Sequence, residues 1–177
     1  AATACRSVGA VDPWACWGPR AVEYVAAAGW AGANLPDDAV VINRKPRIFH
    51  AVGGTPGRVF PFFQDAGPLL ELADALGARY LLFDAWDGVS VGYLPAIVGS
   101  RPRAFCWIRG FGEETVLLGI RSPGSREAPG PGGEGTEAGA GEDDPDPGIA
   151  ACPAEEFPLR GPETEPRRWG HQVPVLV

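Results

Sequence analysis

The sequence predicts an α/β fold: an open, mostly parallel sheet of about five strands, helices on both faces, an antiparallel edge hairpin and a long irregular acidic tail. Three observations lead there. Segments with a three-to-four-residue apolar period alternate with short apolar runs, which is the pattern of helices crossing over a parallel sheet. The run Ala78 to Asp84 (ARYLLFD) is apolar on consecutive positions, as a strand covered on both faces must be. Two apolar runs then flank Gly110-Phe111-Gly112, a hairpin signal.

Each element has its own reason. Residues 1–18 read as a loop segment, with Pro13 and Gly18 bracketing Trp14 and Trp17. Pro19 opens the first helix, since its missing N–H costs nothing in a first turn. Val22, Val25, Ala26, Trp30 and Ala33 continue it, and Asn34-Leu35-Pro36 stops it. Asp37-Asp38 turns the chain into Ala39–Ile42, a short buried strand. Arg44 to Val52 reads as a short helix ending at Gly53-Gly54, and Arg58 to Phe62 as a second strand. Asp65 caps an amphipathic helix that runs to Leu76 and stops at Gly77. After the third strand come a short helix over Tyr93–Gly99 and strands over Arg103–Arg109 and Thr115–Ile120. The α/β domain therefore covers 19–120.

Residues 121–150 (RSPGSREAPGPGGEGTEAGAGEDDPDPGIA) offer almost nothing to bury and cannot offset their ordering entropy, so they read as a disordered or loosely draped linker. Residues 151–177 form an extended, Pro-rich arm ending in Val175, Leu176 and Val177, an apolar end that needs a sheet edge or a partner. Charge divides along the same boundary. Residues 1–120 carry 10 Lys/Arg and 11 Asp/Glu, net -1, and residues 121–177 carry 5 and 11, net -6. Without a basic face, nucleic-acid binding is excluded as a main function.

The start AATAC and the absence of methionine fit an N-terminus left by signal peptidase, and cleavage from a larger protein would look the same. No apolar run approaches the ~20 residues that span a bilayer. The four cysteines Cys5, Cys16, Cys106 and Cys152 have no zinc spacing, and an even count in an exported chain favours two disulfides. Of the three connectivities, Cys5–Cys16 and Cys106–Cys152 are preferred on proximity, the second stapling the tail onto the domain. These features place the chain in the periplasm or otherwise outside the cytoplasm, held to a membrane through partners.

No catalytic signature appears, and no metal or cofactor motif. His50 and His171 are isolated, Ser90 and Ser100 lack an evident base, and GxSxG, HExxH and P-loop patterns are absent. Two clusters remain. Arg44, Lys45 and Arg47, around the only lysine of the chain, stand near a helix start where an anion or partner can bind. Alternatively they are a solvated helix turn paired with Asp37, Asp38 or the acidic tail. Asp84 and Asp87 lie where open α/β sheets place ligands, and two carboxylates there can act on a ligand or simply cap turns. Of six tryptophans, Trp30 and Trp107 are expected on core faces. Trp14, Trp17 and Trp169 suit an interface or a headgroup belt.

One stretch resembles a known family. The run EYVAAAGWAGANLPDDAVVINRKPRIFHAVGG, followed by FPF, LGARYLLFD and YLPAIVGSRPRAFCWI, is similar to the extracytoplasmic C-terminal domain of bacterial polytopic glycosyltransferases of the protein-mannosyltransferase-like, GT-C type. The resemblance covers Trp14 to about Ile120 and rests on Trp30, Asn34, Pro36, Asp38 and the basic 44–47 segment. It implies an α/β domain outside the cytoplasm, against a membrane, where the cations contact lipid phosphates or an acidic partner. That family's catalytic carboxylates lie in its membrane part, so none is carried over. The expectation is a non-catalytic extracytoplasmic subunit that docks on and stabilises a membrane-protein complex of the respiratory, photosynthetic or envelope kind. The alternatives are a glycosyltransferase C-terminal domain that helps bind acceptor or lipid-linked sugar, and a small-molecule module built on Asp84, Asp87 and Lys45.

Overall fold

A computed structural model describes residues 16–121 and 149–160. The elements are α1 (Pro19–Asn34), β1 (Val41–Ile42), α2 (Pro46–Gly53), β2 (Gly57–Arg58), α3 (Ala66–Leu76), β3 (Tyr80–Phe83), α4 (Gly88–Ser100), β4 (Phe105–Gly110) and β5 (Val116–Ile120), with a 3₁₀ turn over Pro102–Ala104 before β4. They form one mixed sheet of order β2-β1-β3-β5-β4. β2, β1 and β3 are parallel, and β5 and β4 run antiparallel beside them. This is the α/β architecture the sequence predicts.

Side-chain alternation splits the core into two layers. Val41, Tyr80, Leu82 and Leu117 face α1 and α2, where Tyr24, Trp30 and Phe49 pack on them. Ile42, Leu81, Leu118 and Ile120 face α3 and α4, against Leu69, Leu94 and Ile97. Strand residues one apart point to opposite faces, so a sheet covered on both sides must be apolar at every position. The α1–α2 contact is backbone-close. A Cβ on Gly32 would overlap the Gly53 carbonyl, and a Cβ on Gly53 would overlap the Ala28 carbonyl, so no larger residue fits either place.

Several boundaries differ from the sequence expectation. β1 keeps only the last two residues of Ala39–Ile42. β2 is Gly57–Arg58 rather than Arg58–Phe62, because Pro61 has no N–H for a ladder and the chain turns outward after Arg58. α2 begins at Pro46, with Arg44 before it and Lys45 as its N-cap. α4 starts at Gly88 rather than Tyr93, since the Asp87 carboxylate accepts the Val89 N–H and caps it five residues earlier. Trp107 is 42% exposed rather than buried on a core face: it keeps the regular register, opposite Leu118, but β4 is the last strand of the sheet, where cover runs out.

Cys106 and Cys152 form a disulfide. It holds residues 149–160 on the outer edge of β4. Trp107 donates its N–H to the Ala150 carbonyl at 2.8 Å, and its carbonyl accepts from Cys152 N at 2.8 Å. Phe157 then buries itself against Tyr80, over Gly119. Arg160 closes the strap: its N–H bonds the Asn34 carbonyl at 2.8 Å and its guanidinium the Leu35 carbonyl and Asp37. A cation there meets the negative end of α1. Cys16 is also disulfide-bonded, while Cys5 lies outside the described residues. So do Trp14, Trp169, His171 and Val175–Val177, and most of the 121–150 segment.

Candidate functional site

The chain leaves β1 toward α2 on one face of the sheet and leaves β3 toward α4 on the other. Adjacent strands whose exits diverge open a crevice at their carboxyl ends, the usual ligand position in such sheets. The loop after β1 brings Asn43, Arg44 and Lys45 to this crevice, and the loop after β3 brings Asp84, Trp86 and Asp87. The two clusters, which the sequence joins only in the small-molecule alternative, thus stand side by side.

Its centre is Asp87. Lys45 Nζ donates to Asp87 Oδ2 at 2.6 Å, and Arg44 Nε stands 3.7 Å from Oδ1. Oδ1 also accepts the Val89 N–H at 2.9 Å. Partial burial alone would raise this carboxyl. The Lys45 and Val89 hydrogen bonds and the two cations outweigh that and hold it below the ordinary carboxylate value. Asp84 is fully buried and accepts from Ser90 Oγ at 3.0 Å and from Asp87 N at 3.1 Å. Burial pushes its carboxyl up, against those hydrogen bonds. Beneath them, Tyr24 donates to Asn43 Oδ1 at 2.7 Å and lies 3.0 Å from the Lys45 carbonyl. Asn43 Oδ1 also accepts the Lys45 N–H at 3.0 Å, which fixes the basic loop. Burial, with the Asp84 charge nearby, raises the Tyr24 phenol far above its usual range, so it stays a donor.

Aromatic rings flank the ion pair. Lys45 Nζ lies 4.8 Å from the Trp86 ring, and Trp86 meets Trp17 edge-on at 5.9 Å. On the other side the Arg44 guanidinium lies 4.8 Å from the Phe62 ring, which meets Tyr93 at 5.8 Å. The result is a row, Trp17–Trp86–Lys45–Asp87–Arg44–Phe62–Tyr93, along one edge of the sheet. Its ends are open: Trp17 is 66% exposed, and Phe62 and Phe63 are 54% exposed. Arg47 and Arg58 stand exposed beside it, and neither forms a salt bridge among the described residues.

The sequence singles out the basic trio, the Asp84–Asp87 pair and Trp17 as separate candidates; the structure links Arg44, Lys45, Asp84 and Asp87 directly and Trp17 through Trp86, with Arg47 exposed at the start of α2. Lys45 pairs with Asp87 rather than with Asp37 or Asp38, and Asp37 is taken by Arg160. His50 is exposed, and Ser100 caps Ala66 N at 2.9 Å far from the pair. Unforeseen were Tyr24 and Asn43 as supports, Trp86 as a platform, and Phe62 and Phe63 as exposed rings. The run FPFF was visible, but an apolar run reads as strand until Pro61 is seen to end it. Among the described residues no three His, Cys, Asp or Glu side chains gather to hold a metal ion, and no helix is long and apolar enough to cross a membrane.

Fold and site together define a disulfide-stapled α/β domain with an aromatic and cationic carboxyl edge. Comparison with family models, with curated proteins and with solved structures returned no match in any of the three.

Proposed function

We propose that this chain is a non-catalytic, extracytoplasmic docking domain that binds and stabilises a membrane-protein assembly through its carboxyl edge. One observation carries the reading: at this edge both carboxylates and Lys45 are committed to partners within the domain, while the rings are left outward. Asp84 is buried under Ser90, Asp87 caps α4 and binds Lys45, and Tyr24 and Asn43 hold the loop. A carboxylate engaged on both oxygens is poorly placed to take a substrate proton. Trp17, Phe62 and Phe63, by contrast, leave apolar surface in water, which association relieves. The disulfide supports an oxidising compartment.

The test is mild-detergent extraction from the source membrane, native purification and mass spectrometry. A stoichiometric membrane partner that is lost from an F62S/F63S variant supports docking through this edge. A monomer with no partner sinks it. A second reading keeps the same edge but makes the domain the C-terminal part of a membrane glycosyltransferase. The observation favouring it is that Arg44, Lys45 and Arg47, part of the resembling segment, stand at this edge. A single long polypeptide containing this sequence after many spans would select that reading.

A further inference from the structure

We propose that the carboxyl edge seats directly on the anionic headgroup surface of a bilayer, with Trp17, Phe62 and Phe63 in the interface and Arg47 and Arg58 on lipid phosphates. This rests on the docking reading above and adds what the edge lies against. The first argument is charge. The chain is net -7, yet Arg44, Lys45, Arg47 and Arg58 gather at this one edge. The carboxylates nearby are already engaged: Asp84 is buried, Asp87 holds Lys45, and Asp65 lies 3.8 Å from Arg101. The surplus therefore sits on Arg47 and Arg58, which face solvent, while the acidic side chains elsewhere turn the molecule edge-first toward a negative surface.

The second argument is shape. The exposed rings stand on two separate short segments, Trp17 before α1 and Phe62-Phe63 between β2 and α3. Two small separate tips do not make up the about 800 Å² per partner of a standard protein interface, so a membrane protein docked at this edge leaves them to the lipid around it. Each ring enters a headgroup region independently, and aromatic rings favour that depth. The Arg44 guanidinium on Phe62 and the Lys45 ammonium on Trp86 keep positive charge at the level of the rings, where the phosphates lie. A cation near an anionic leaflet contributes about 1 kcal/mol, roughly fivefold in partitioning, so Arg47 and Arg58 together supply about 2 kcal/mol, or about thirtyfold.

The experiment is co-sedimentation of the purified, oxidised chain with phosphatidylcholine vesicles, with and without phosphatidylglycerol. Expected is binding to the phosphatidylglycerol vesicles alone, reversed by salt. R47Q/R58Q loses about thirtyfold, and F62S/F63S loses binding at unchanged net charge. All four residues are exposed, so circular dichroism matching the wild type keeps the comparison fair. No binding by the wild type, or binding indifferent to lipid charge or to either pair, overturns the proposal. Inorganic phosphate that competes better than chloride at equal ionic strength also overturns it, by showing a discrete phosphate pocket. Failure on vesicles with an F62S/F63S-sensitive protein partner still present overturns only the lipid inference. Failure of both removes the docking reading as well.

Discussion

Replacing Asp87 separates the two tasks of that carboxylate. Asp87→Asn keeps an oxygen for the Val89 N–H but removes the charge facing Lys45 and Arg44; Asp87→Ala removes both. The three side chains are only about one-fifth exposed, at 20%, 23% and 18% for Asp87, Lys45 and Arg44, so solvent screens the pair incompletely. A charge-assisted hydrogen bond of this kind is worth roughly 2 kcal/mol, and a helix N-cap about 1 kcal/mol. Asn is therefore expected to cost about 2 and Ala about 3 kcal/mol at neutral pH. With a urea slope near 2 kcal/mol/M, the midpoints fall by about 1 and 1.5 M at unchanged slope. The pH dependence follows from the sign. The folded carboxyl lies below its ordinary value, so its contribution is present above the unfolded pKa and is lost as pH falls through the folded one. The gap between wild type and Asp87→Asn must then narrow below about pH 4. An Asn variant as stable as wild type at neutral pH would make the basic loop a solvated turn, and the account of the site would be wrong.

Other perturbations test other joints. Gly32→Ala places a methyl against the Gly53 carbonyl and should cost more than about 3 kcal/mol or prevent folding, whereas Gly92→Ala, exposed inside α4 with open space around its Cβ, should raise stability by about 0.5–1 kcal/mol in thermal melts. Cys106→Ala with Cys152→Ala opens a loop of sequence separation 46, worth about 4 kcal/mol. It should also speed exchange of the Trp107 and Cys152 amides, which bond across the strap, and unchanged exchange would show the strap holds without its staple. Carboxyl-resolved NMR titration should find Asp84 titrating above the ordinary range and Asp87 below it; the reverse order would contradict the burial and pairing described.

The layering was legible because a sheet covered on both faces leaves no polar position in its strands, and β3 and β5 obey that rule. The starts of α1 and α3 were legible because Pro19 and Asp65 act locally. What escaped the sequence depends on distance. Nothing in residues 43–47 says that their counter-ion is forty-two positions away; Lys45 meets Asp87 because β1 and β3 are neighbours in the sheet, which is a property of topology. The α4 start was missed for a related reason: Gly88 and Gly92 weaken its helical signal, and the Asp87 cap outweighs them once Lys45 fixes that side chain. Trp107 was misplaced because alternation names the face of a strand but not the strand's place in the sheet, and β4 is the last strand.

The same topology accounts for a carboxyl edge so well tied down yet apolar at its ends. A crevice at diverging strand exits has unpaired loop backbone, and something must organise it. Here the chain uses its own side chains: Tyr24 from α1 reaches Asn43, Asn43 holds Lys45, Lys45 holds Asp87, and Asp87 starts α4. The members come from α1, the β1–α2 loop and the β3–α4 loop, so the edge is cross-braced before any partner arrives. A rigid edge loses little conformational entropy on docking. The rings at its two ends therefore meet a surface with their positions already set, and that pre-organisation makes an ion pair spent inside the domain useful to contacts outside it.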